Sequence, residues 1–232
     1  MPRQLWDLPH HARRLSRWRR PSACVAGSRS EVGIFSQILR VHSTAFSPQL
    51  AQRRIEAALA RIPALQGGRI RIRFVSRLSA HRGELLSGKP VGRPVHAGTF
   101  LRKREIALEP ELLDSPHEFA RIFFHELFHF VWLRLGNPAR RSWEALLETE
   151  LRRRARGELG WSAELRKESL LPTDRPRRSR RWREYACESF CDSAAFLLCG
   201  SRRHQEFTLA PAFRRRRRSW FRRLLARPAI SI

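Results

Sequence analysis

The chain has 232 residues, 42% of them apolar, with seven Trp and fourteen Phe, enough for one sizeable hydrophobic core. Its formal net charge is +26, which taken alone suggests a nucleic acid, an anionic surface or an acidic partner. Yet only Lys89, Lys103 and Lys167 of the 47 basic residues are lysine, and the 44 arginines run along nearly the whole chain, so residue usage explains the charge as well as a binding face does.

No apolar run approaches the roughly 20 residues that span a bilayer, and the first forty residues lack the apolar stretch of roughly 7–15 that a secretory signal needs. A soluble, cytoplasmic protein is the expectation. The cysteines agree: Cys187, Cys191 and Cys199 cluster on one predicted helix and Cys24 stands far away, unlike a disulfide framework.

Residues 1–44 are rich in Arg, Ser and Pro without a sustained period and read as a basic, flexible arm. Ser47 as cap and Pro48 at the first helical position open a helix whose apolar face runs from Leu50 to Ile62, where Pro63 ends it. Arg69 to Val75 alternates strictly, with Ile70, Ile72 and Phe74 on one side, which predicts a half-buried strand. A loop rich in Gly and Pro leads to a second extended segment, Gly98 to Pro110.

The best-signalled element comes next. Ser115, Pro116 and Glu118 form a capping-box pattern with Pro at the first helical position, and Gly136, Asn137 and Pro138 stop the helix. Residues 142–157 read as helical, residues around 160–181 as an inserted Arg-rich loop with a short helix, and residues 181–199 as a strong last helix ended by Gly200. Residues 206–232, with five consecutive arginines from Arg214 to Arg218, read as a basic tail.

In the middle of the third helix lies Phe-Phe-His-Glu-Leu-Phe-His-Phe-Val-Trp, Phe123 to Trp132, apolar except for His125, Glu126 and His129. Residues four apart share a helix face, so both imidazoles can aim at one point and hold a divalent ion such as zinc. Glu126 stands about 100° around the helix, beside the ion rather than on it. There it can act as the general base on a metal-activated water, as peptide hydrolysis requires. This is the HExxH arrangement. A catalytic zinc needs a third protein ligand. Glu184, Glu188 and Asp192 recur every four residues in Arg183 to Phe196, a segment apolar enough to be buried, where carboxylates need a counter-charge.

His125-Glu126-Leu127-Phe128-His129 together with Glu188-Ser189-Phe190-Cys191-Asp192 resembles the zincin metallopeptidases, in particular the gluzincin branch that pairs HExxH with ExxxD on a following helix. The resemblance implies an α+β, zincin-like domain over residues 45–205: a small mixed sheet packed on the active-site helix, with a second helix bearing the last ligand. It also implies one Zn2+ held by His125, His129 and Glu188, Glu126 as catalytic base, Asp192 orienting His125, and a peptide or protein substrate. Glu184 stays open as the alternative ligand. An edge strand in such folds binds the substrate backbone, and Glu105 to Glu109 is the expected edge. The 59 positions between His129 and Glu188 exceed the gluzincin spacing, so the insertion must loop out.

Other residues are secondary. Tyr185 and His204 are chemically suited to donate to an oxyanion. Cys187 and Cys191 fall about 100° from the Glu188 row and read as small buried hydrophobes. The rival function is a regulatory or nucleic-acid-associated protein that keeps a zincin fold, its Arg-rich tails binding nucleic acid or an anionic surface weakly.

Overall fold

A computed structural model describes residues 17–18, 38–42, 48–81, 84–87 and 93–232; Ser47, the expected cap, lies outside them. The chain is α+β. Pro48–Leu59 forms α1, which stops short of Ile62. Ile70–Phe74 forms β4, where Ile70, Ile72 and Phe74 are buried as the alternation predicts.

Strand β4 lies in a sheet with Leu39–His42 (β2), Ala97–Phe100 (β8) and Glu105–Leu108 (β9), in the order β2-β4-β9-β8. The first three run parallel, and β8 returns antiparallel along β9, pairing Thr99 with Ile106. Two expectations need correcting. Most of the arm expected over residues 1–44 lies outside the described residues, but its residues 39–42 form β2: Leu39 turns inward and the backbone pairs with β4. The segment Glu105 to Glu109 is interior rather than edge, with Glu105 buried against Arg71 and Arg73; the edge is β8. A second sheet joins Arg17–Trp18 (β1), Glu84–Ser87 (β6), Leu78–His81 (β5) and Arg93–Pro94 (β7) in that order.

Helix α2, Pro116–Arg134, runs through the core. Its sheet-facing side stacks Phe119 on Phe74 and Phe123 on Phe119, at ring separations of 6.5 and 5.6 Å. Its other side packs Phe128 against Phe190 at 5.8 Å, on α5 (Arg180–Leu198). The capping box does not form: the Ser115 side chain makes no capping bond, and Glu118 turns instead to Arg121, at 2.5 and 2.9 Å. After α2 ends, Gly136 and Pro138 also open α3, Asn137–Arg152. The insertion holds the short helix α4, Trp161–Glu168, packed against α5.

Residues 206–232 are not a tail. Pro211–Leu225 forms α6, which buries Arg217, Trp220, Phe221 and Leu224, and Ala229–Ser231 (β10) pairs in parallel with Ala64–Gln66 (β3). Phe221 lies 6.2 Å from Phe128 and 5.0 Å from Phe190, so α6 closes the core behind α2 and α5. Arg217 is fully buried and holds Glu150 Oε2 at 2.7 Å and Glu158 Oε2 at 2.6 Å. None of the described helices is long and apolar enough to cross a membrane.

Candidate metal centre

Helices α2 and α5 pack closely, and the site lies where they meet. His125 and His129 are one turn apart on α2, with ring centroids 5.0 Å apart and planes at 79°. From α5, Glu188 brings Oε2 to 3.4 Å from His125 Nε2 and 4.0 Å from His129 Nε2. A zinc ion bound tetrahedrally at ordinary bond lengths separates a nitrogen and an oxygen ligand by about 3.4 Å. All three side chains are buried, and Glu188 Oε2 makes no hydrogen bond among the described residues. A buried carboxylate oxygen without a donor is costly unless a cation completes it. Two imidazoles and a carboxylate therefore fit a zinc ion in chemistry and spacing.

Behind this trio, His125 Nδ1 meets Asp192 Oδ1 at 2.7 Å, which leaves Nε2 free to face Glu188. Asp192 is itself held: Oδ2 accepts the Ala163 N–H at 2.8 Å, from the first turn of α4. Gly160, just before α4, must lack a side chain, since a Cβ there would stand 2.2 Å from Asp192 Cγ. The insertion that lengthens the spacing between the motifs thus forms part of the support for His125.

Glu126 borders a cleft of about 940 Å³ that is lined also by His125, His129, Glu188 and the edge strand β8. Its Oε2 accepts the Thr99 hydroxyl at 2.6 Å, which fixes the carboxylate against β8. Thr99 carries no sequence signal; only the antiparallel return of β8 brings it over α2.

The remaining candidates separate clearly. Glu184 lines the cleft but is engaged by Arg180 at 2.7 Å and Arg166 at 3.3 Å, away from the histidines. Tyr185 is fully buried and donates to Glu158 Oε1 at 2.6 Å, so it is a strut of the Arg217 network and no oxyanion donor. His204 lies 3.4 Å from Glu118 and is not among the residues lining the cleft. Cys187 and Cys191 differ from expectation: both sulfurs lie 3.5 Å from His129 Nδ1. An imidazole has nitrogens on two edges, so one ring faces both the Glu188 row and the neighbouring cysteine row. The hydrogen bond from Cys191 lowers the Cys187 thiol to about 6, with burial opposing and His129 assisting.

Burial works to lower the His125 pKa, but Asp192, Glu188 and Glu126 hold it well above the ordinary value. His129 is likewise pushed down by burial, yet Glu188 and Cys187 raise it to about 9. Zinc must displace the proton from each ring. For the His129 proton, apparent zinc affinity is therefore expected to rise about tenfold per pH unit from pH ~6 to ~9 and to lose that contribution above, with the His125 proton adding to the slope. A chelator competition across that range measures the slope; a flat profile would argue against ligation by these rings.

No family model, no curated protein and no solved structure matches the chain.

Proposed function

We propose that the protein is a zinc-dependent peptidase of the zincin, gluzincin-like kind, with His125, His129 and Glu188 as the metal ligands. The observation that carries this reading is the convergence of two imidazole nitrogens and an unbonded buried carboxylate oxygen, with Glu126 beside them on an open cleft. The mixed sheet, whose antiparallel edge strand β8 borders that cleft, supports it. When bound, zinc supplies Lewis acidity, acidifying water and polarising a carbonyl.

The chain's own groups do the rest. Asp192 keeps the His125 ring turned with Nε2 toward Glu188. Thr99 holds Glu126 at the cleft wall, where its carboxylate takes the proton of the attacking water and returns it to the departing amine. The open edge of β8, whose Ala97, Gly98 and Thr99 line the cleft, can pair with an extended peptide. The nucleic-acid reading has less support, because the Arg214 to Arg218 run is helical: Arg217 is buried and Arg214 bonds the carbonyls of Phe207 and Leu209.

A metal assay on purified protein, alongside hydrolysis of a denatured protein substrate, tests the proposal. The expected result is one zinc per chain, at least about tenfold weaker binding in Glu188→Ala, and unchanged binding in Glu184→Ala. Zinc lost in Glu184→Ala but kept in Glu188→Ala would overturn the ligand set, and no hydrolysis by the zinc-loaded chain would overturn the activity.

A further inference from the structure

The described residues hold a second group of ligand-type atoms. His129 Nδ1, Cys187 Sγ and Cys191 Sγ all lie within 4.8 Å of one another, and both sulfur-to-nitrogen distances are 3.5 Å. We propose that these three atoms form a second cation site, selective for a soft, thiophilic ion, that shares the His129 ring with the first site and opposes its occupancy.

The spacing fits. Sulfur at roughly 2.3 Å and nitrogen at roughly 2.0–2.1 Å from a tetrahedral ion stand about 3.5 Å apart. Two sulfurs with one imidazole favour ions such as Cd2+, Cu+ or Zn2+ over the hard ions that prefer oxygen. There is a way in, because Cys187 is only partly buried and lines the cleft together with His129. The cysteines stand one turn apart on α5, a rigid helix with a packed far side, so the pair is held ready. Binding sends the thiol protons and the Nδ1 proton to solvent.

The opposition, though not the site itself, rests on the peptidase reading. A neutral imidazole has one lone pair, so ligation at Nδ1 leaves Nε2 free for a metal only if the ring loses its last proton. Two dications across one small ring also repel. The cleft-lining thiols are thus placed to make the centre sensitive to soft metal ions.

Cadmium titration of the full chain, followed by thiolate-to-cadmium charge-transfer absorption, tests this. The expected result is a band that saturates at one ion per chain in wild type and in His125→Ala. In Cys187→Ser/Cys191→Ser the apparent affinity is expected to fall by about 100-fold or more. Cys24 and Cys199 are retained throughout and supply the background, and Cys187→Ser alone, at the partly exposed position, serves if the double variant does not fold. An absent band in wild type, or the same titration in the serine variants, overturns the site. Adding cadmium to zinc-loaded protein is expected to release zinc to a chelating dye more readily from wild type than from the serine variants; equal release overturns the opposition. A cadmium band in a protein that takes up no zinc and cleaves no peptide would remove the peptidase reading and leave the thiol site standing.

Discussion

Glu126→Gln is expected to lower peptide hydrolysis by about 10²–10⁴-fold while the chain keeps its full zinc content. The change is nearly isosteric, and its amide oxygen can still accept the Thr99 hydroxyl that now reaches Oε2 at 2.6 Å. None of the groups proposed to hold the metal is altered. What disappears is the capacity to take a proton from water and give it back to the leaving nitrogen. Matched metal analysis and activity measurements separate the outcomes: zinc lost together with activity would make Glu126 a ligand, and activity kept would leave the reaction without its base.

Arg217→Ala is expected to destabilise the fold by about 3–5 kcal/mol, or on the order of 10 °C in the unfolding midpoint. The guanidinium is fully buried and bridges Glu150 and Glu158, and Nη1 also reaches Ser193 Oγ of α5 at 3.2 Å. Tyr185 and Lys167 converge on Glu158 Oε1, at 2.6 and 3.3 Å. Removing the cation leaves two buried carboxylates with little compensation. Arg218→Ala, next in sequence but exposed, is the control and is expected to stay within about 0.5 kcal/mol. Denaturant titration of both variants measures the contrast; equal midpoints would mean that the network contributes no net stability.

What could be read from the sequence, and what could not, follows from where each signal resides. The helix bearing His125 and His129 was legible because three polar residues interrupt an apolar run at helical spacing, and Glu188 and Asp192 because they repeat one turn apart in a second such run. Each is a local pattern. Thr99, Gly160 and the Ala163 N–H act on the site through contacts across 27, 32 and 29 positions, which no local period records. The edge strand was misplaced for a related reason: alternation marks an extended segment but does not say on which side of its neighbour it pairs.

Composition misled in the last thirty residues. Five successive arginines read as a solvated run, yet Phe213, Arg217, Trp220, Phe221 and Leu224 share a helical stripe on which one arginine takes an apolar position. Buried Glu150 and Glu158, far upstream, are what make that placement favourable.

The position of that arginine also bears on when the protein acquires its shape. Translation delivers His125, Glu126 and Glu188 well before residues 211–225, so a growing chain carries the proposed catalytic groups while Glu150 and Glu158 still await their counter-ion. Helix α5 gains its full support only once α6 has been made and docked.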